Sequence, residues 1–371
     1  MRFGLVLLGA TALLSACGGE SKVKPAELES FVATAELSPL WRGSTGKTDD
    51  FVFTPAVVAN SVFAAGHNGT IVRYDEGREV WRVSLDEKLS GGVGSDGQLI
   101  AVGTPKGEVL AFDADTGKAL WRARVSSEVL AAPSVGEGLV VVRSGDSQIT
   151  GLDAKDGKRR WVFQRSTPTL TLRSNVGVLL GQTVVVAGLP DGKLVAINNQ
   201  NGAVIWEVAV ALPKGATELE RVVDLTSLPV VREREICAAA FQGRVACFDI
   251  ATGNQLWGRD ISSSAGIDMD ERRVYVTDDT GSVHAFARET GASGWKQDKL
   301  FMRAPTRPIA LGRRVAVADF QGVVHLLDAE TGAFVARATT DGSAIRADPQ
   351  RLADGFVVQT RDGGIFALQP R

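Results

Sequence analysis

The sequence predicts an all-β fold, an eight-bladed β-propeller of four-stranded antiparallel blades whose ring is closed by the N-terminal strand completing the last blade. Three features predict it. Tryptophan recurs at Trp41, Trp81, Trp121, Trp161, Trp206, Trp257 and Trp295, at intervals of 40, 40, 40, 45, 51 and 38, and the series uses every tryptophan in the chain. A second signal, usually a glycine followed by an alternating apolar run, occurs eight times. The two ends of the repeat array are complementary half-blades. Self-similarity at about 40 residues marks a stacked array of supersecondary units, and four strands per unit marks a propeller.

In chain order, the first element is a segment to be removed before folding. Met1-Arg2 gives a short positive start, Phe3 to Leu14 is apolar, and Leu14-Ser15-Ala16-Cys17 ends the run with small residues before a cysteine. Residues 1–16 therefore read as a secretion signal, too short to remain as a membrane-spanning helix. Leu-Ser-Ala-Cys resembles a bacterial lipobox, which implies cleavage before Cys17 and diacylation of its thiol. Gly18 after the cysteine, with no Asp there, implies by the same resemblance sorting to the outer membrane, facing the periplasm. Acyl chains contribute about 0.8 kcal/mol per buried methylene, so several hold a protein to a bilayer almost permanently. Residues 17–35, polar and aperiodic after the cysteine, read as the lipidated residue and a flexible tether. No later apolar stretch approaches the roughly 20 residues of a spanning helix, so the membrane is met through the lipid alone.

The propeller is expected over 36–371. Its turn motif, Asp113-Ala-Asp-Thr-Gly117-Lys-Ala-Leu-Trp121, recurs at 153–161, 198–206, 249–257 and 287–295; Asp328 to Gly332 repeats the turn but Ala336 fills the tryptophan slot. The copy ending at Trp81 is two residues shorter, from Asp75. The Asp side chain accepts bonds from the backbone ahead, and the Gly takes the positive φ of the reversal. The alternating runs begin at Gly69, Gly107, Gly192, Gly243, Gly281, Gly322 and Gly363, with an eighth at Ser147 that lacks the glycine. In the third unit Leu139 to Val142, Gln148 to Leu152 and the strand carrying Trp161 are separated by turns at 144–146 and 153–157, while β-branched residues dominate the runs. Glu36 to Arg42 has no hairpin before it, and Gly355 to Gln369 has no tryptophan strand after it. The tryptophans read as packing between adjacent blades, each burying on the order of 200 Å².

Composition excludes several functions. Hydrophobic residues are 44%, charged residues 23% and the net charge is -2, with no basic block, so nucleic acid is not an expected partner. His67, His284 and His325 lie in separate repeats and no Cys-x-x-Cys occurs, so neither a metal site nor catalytic residues are expected. Gly46-Lys47-Thr48 ends like a phosphate loop, but Trp41 stands where such a loop needs its first glycine. Cys237 and Cys247 flank a predicted hairpin turn at Gln242-Gly243. They are placed either for a disulfide or, one register step away, as two separate buried thiols.

The unit Gly-x-Val-x-Ala-Phe-Asp-Ala-x-Thr-Gly-x-x-x-Trp resembles the repeat of quinoprotein propellers. With the lipobox and eight repeats in a short chain, the mature sequence resembles the BamB family, propeller lipoproteins of the outer-membrane β-barrel assembly machinery. That resemblance implies a non-enzymatic scaffold without a cofactor that docks on the periplasmic domains of BamA and assists unfolded outer-membrane proteins. Tryptophan spacing is longest after Trp161 and Trp206, where functional loops are expected. Leu170-Thr-Leu172-Arg173 matches a Leu-x-Leu-Arg segment by which the family contacts BamA. Arg221 and Asp224, in Glu220 to Thr226, match a neighbouring segment with two aspartates one residue apart, the second being Thr226 here. Read on their own, Leu170 and Leu172 either present an exposed partner site or begin a buried inner strand. The alternatives in other functional classes are a quinone-dependent dehydrogenase, for which the adjacent cysteine pair is missing, and a periplasmic sugar- or peptide-binding module.

Overall fold

Apolar runs of four to six residues between turns are too short for helices and fold as strands. The computed structural model describes residues 23–371, which form 32 strands in eight antiparallel four-stranded sheets. The signal segment and Cys17 lie outside the described residues. Blade two illustrates the order: Gly91–Ser95 is innermost, followed outward by Leu99–Gly103, Glu108–Asp113 and Ala119–Arg124. All five residues of its second strand are buried, whereas the outer strand alternates. The core lies in layers between blades, as where Phe63 and Ile71 of blade one meet Ile100 and Val102 of blade two.

Blade eight takes Gln350–Leu352, Gly355–Gln359 and Gly364–Pro370 from the C-terminal end and its outer strand, Leu37–Ser44, from the other. Glu36 and Arg371 exchange backbone hydrogen bonds of 3.0 and 2.8 Å at this seam. Both ends of the described chain are thereby held in one sheet, which closes the ring through strand pairing rather than at a weak seam.

The repeat motif encodes the joint between blades. Each indole N–H from Trp81 to Trp295 donates to a carbonyl in the turn of the next blade: Trp121 to Ala154 at 2.8 Å, Trp161 to Asn199 at 2.7 Å, Trp257 to Arg288 at 2.6 Å. The turn glycine lies against the same ring. Gly157 has φ of 71°, and a Cβ there would stand 2.5 Å from Trp121, so the residue is required both by its backbone and by the packing. Within the turn, Thr116 donates to Asp113 through both N–H and hydroxyl, at 2.8 and 2.6 Å. Ala336 follows from the same geometry. The next blade is the closing one, whose two outermost strands come from opposite ends of the chain, so there is no Asp-x-x-Thr-Gly turn for a tryptophan to cover.

The tether expectation is corrected in part. From Ala26 the segment is packed on blades six and seven rather than free. Ala26 N–H donates to the Phe301 carbonyl at 2.9 Å, and Thr34 and Ala35 both donate to Val335 O. Arg303 and Arg337 donate to the carbonyls of Ala26 and Glu29, while Phe31 stacks on Phe334 with ring centroids 5.7 Å apart. Aromatic stacking and arginine donors at sequence-distant positions hold this strap, and neither is visible in the local composition of 23–35.

Cys237 and Cys247 pair directly in the register of their hairpin and form a disulfide, with Cα atoms 4.0 Å apart and both side chains fully buried.

Candidate functional site

Two connections exceed the others, 164–178 between blades three and four and 210–229 between blades four and five, and neither contains a strand or helix. They are adjacent in space. Pro168 and Leu170 from the first and Pro213, Arg221 and Asp224 from the second line a groove of about 130 Å³. Leu170 and Leu172 are 44% and 37% exposed and belong to no inner strand, so of the two alternatives the surface position is the one adopted.

One carboxylate joins the two loops. Asp224, only 5% exposed, accepts the Leu172 N–H at 2.5 Å and the Asp191 N–H at 3.3 Å. Its own carbonyl accepts from Phe241 N–H at 2.9 Å. Asp224 therefore sits beneath the surface and positions Leu172, rather than presenting a charge to solvent. Burial pushes its carboxyl above the usual range, opposed by the two N–H donors and by the Arg143 guanidinium. Arg143, the last residue of Leu139–Arg143, is itself 9% exposed, and its Nη1 has no hydrogen-bond partner. Burial brings it down to about 10, which leaves it a cation at neutral pH.

Arg173 reaches over the neighbouring inter-blade connections that carry Glu128 and Phe51. Its guanidinium forks onto Glu128, at 3.1 and 2.8 Å, and its carbon lies 5.9 Å from the centroid of Phe51, with the side chain still 64% exposed. Such a fork fixes the direction of the remaining donors. Arg221 is exposed, and Thr226, in place of a second acid, donates to Ser264 O at 3.3 Å. Leu212 and Leu219, 65% and 72% exposed, belong to the same second loop and were not singled out in the sequence. Residue type alone does not separate them, because the same connection carries Val210, Val223 and Leu225, which are buried.

The histidines are accounted for by local structure. His284 Nε2 meets Asp278 at 2.8 Å, His325 lies fully buried with Nε2 3.1 Å from Asp319, and His67 Nδ1 is 2.6 Å from Leu89 O. Among the described residues no group of three or more His, Cys, Asp or Glu is arranged to hold a metal. No helix among them is long and apolar enough to cross a membrane.

Comparison with known proteins identifies this architecture. A family model described as outer membrane protein assembly factor BamB matches residues 67–297. A curated relative of that name from Bordetella pertussis is 43% identical over 99% of this chain and 96% of its own length. The chain belongs to the BamB family. The crystal structure of BamB from Moraxella catarrhalis superposes with a TM-score of 0.83 at 29% identity, covering 90% of this chain and 99% of that one. Quinohemoprotein alcohol dehydrogenase from Comamonas testosteroni gives a TM-score of 0.72 at 14% identity over 90% of this chain and 76% of its own, a likeness of fold alone.

Proposed function

We propose that this BamB-family chain is a non-enzymatic scaffold subunit of the outer-membrane β-barrel assembly complex, and that it docks on the periplasmic domains of BamA through the two long loops. The supporting observation is the Asp224 carboxylate, which binds both loops into one surface carrying Leu170, Leu172, Arg173 and Arg221. Exposed apolar side chains rimmed by polar residues mark a partner site, and arginine is enriched there. Folding and insertion of outer-membrane proteins would be assisted through that contact. Acylation of Cys17 after removal of 1–16 would hold the propeller at the outer membrane, facing the periplasm.

A pull-down from detergent-solubilised envelopes tests the docking. The native protein is expected to recover BamA, and Leu172→Ala combined with Arg173→Glu to lose it. Undiminished recovery by the folded double variant would place the contact elsewhere. Incorporation of labelled palmitate by the native chain, abolished in Cys17→Ser, tests the anchor.

A further inference from the structure

Three large apolar side chains on blades six and seven have no role in the ring or in the docking loops. Phe301 and Met302, in the connection between these blades, are 41% and 46% exposed, and Phe320, in a turn of blade seven, is 37% exposed. They are rigidly mounted. Met302 N–H donates to Thr280 O at 2.8 Å, and Phe320 N–H to Arg303 O at 3.2 Å. Arg303 lies 5.3 Å from the Phe320 ring centroid while it bonds Asp319 and Gln321. A fixed, exposed apolar cluster marks a contact surface.

The path of the chain says what covers it. The strap reaches the ring beside this cluster, where Ala26 N–H donates to Phe301 O and Arg303 donates to Ala26 O. Cys17 precedes Ala26 by nine residues. Even a fully extended chain of that length spans at most about 30 Å. Without the strap contacts the first fixed residue would be Glu36, and the corresponding limit would be about 65 Å. The strap thus halves the leash and fixes where on the ring it starts.

From this we infer that Phe301, Met302 and Phe320 form a membrane-contact patch that seats in the interfacial region of the phospholipid leaflet holding the acylated Cys17. The inference rests on the anchor proposed above. Rings and a flexible thioether suit the boundary between headgroups and acyl chains, where apolar side chains enter a few ångströms without a spanning segment. The lipid draws the protein to the bilayer, and the patch chooses which edge of the propeller meets it.

The test uses the full acylated chain with Met302→Cys carrying a nitrobenzoxadiazole probe, reconstituted on vesicles of phosphatidylethanolamine and phosphatidylglycerol. Cys237 and Cys247 are joined, so they do not compete for the label. The emission is expected to shift to the blue and to be quenched by spin-labelled lipid, with loss of the shift when Phe301→Asp and Phe320→Asp are added. A probe at Leu219→Cys, on the proposed docking side, should remain in water. If the protein floats with the vesicles while the Met302 probe stays fully accessible to aqueous quencher, the patch is overturned and the anchor stands. If it does not float, the anchor fails and the patch inference with it.

Discussion

Truncating Asp224 to alanine is the sharpest perturbation of the candidate site, because it leaves every exposed contact residue in place. The carboxylate accepts two backbone N–H groups, from Leu172 and Asp191, in a position that is 5% exposed. Hydrogen bonds to charged groups contribute about 1.5–3 kcal/mol each. Leu172 is partly exposed, so water replaces some of what its N–H loses, and about 2 kcal/mol is a fair measure of the local loosening. At about 1.4 kcal/mol per tenfold, the Leu172 amide should exchange with solvent about 30-fold faster in Asp224→Ala. Hydrogen exchange read by mass spectrometry over 164–178 measures this directly. Blade peptides such as 99–113 should be unchanged, and Asp224→Asn, which keeps an acceptor oxygen but no charge, should fall between. Unaltered exchange at Leu172 in the alanine variant would refute the role of Asp224 in joining the loops.

Three further outcomes follow from the fold. Gly157→Ala should destabilise by about 2–3 kcal/mol in urea unfolding, combining the left-handed penalty with the approach to Trp121, whereas Trp121→Phe should lose about 1 kcal/mol with its hydrogen bond to Ala154. His325 is held neutral by burial, its Nδ1 accepting from Arg337 at 3.2 Å and its Nε2 donating to Asp319. Because the unfolded chain takes up the proton first, thermal stability should fall as pH drops below about 6.5 toward the lowered native value, and His325→Gln should remove this slope between pH 7.5 and 5. Replacing both Cys237 and Cys247 by alanine should cost about 2–3 kcal/mol, and reductant should then have no further effect on the melting temperature.

The blades were legible because each one repeats its own instructions locally. Spacing from Asp113 to Gly117 to Trp121 sets a turn, a close approach and a bond to the next blade, so the motif can be counted without knowing any distant contact. Even the missing tryptophan at Ala336 was visible, though its reason was not, since it depends on both ends of the chain meeting in one sheet. In sequence the strap looks like a free tether because its partners, Phe301, Val335 and Arg337, lie some 300 residues away. At the candidate site the loops are recognisable from their length, whereas Leu170, Leu172 and Arg173 stand out only through the family resemblance, since residue type alone leaves the leucines open between an exposed site and a buried strand. The interior position of Asp224 was not, because it arises from a bond to Leu172, 52 residues earlier. Arg143 was hidden for a similar reason, as a strand residue whose importance comes only from the loops folded over it.

The proposed function stands or falls on docking of BamA by the paired long loops. Calorimetric titration of the purified periplasmic domains of BamA into the propeller tests it most directly, comparing the native protein with Leu172→Ala, Arg173→Glu and Asp224→Ala. Saturable binding by the native chain is the expected result, weakened at least about tenfold by Leu172→Ala and by Arg173→Glu, since one lost interface anchor costs more than about 1.4 kcal/mol, and weakened by Asp224→Ala through the loosened loop. Equal affinity for all four proteins, each with an unchanged far-ultraviolet spectrum, would contradict it.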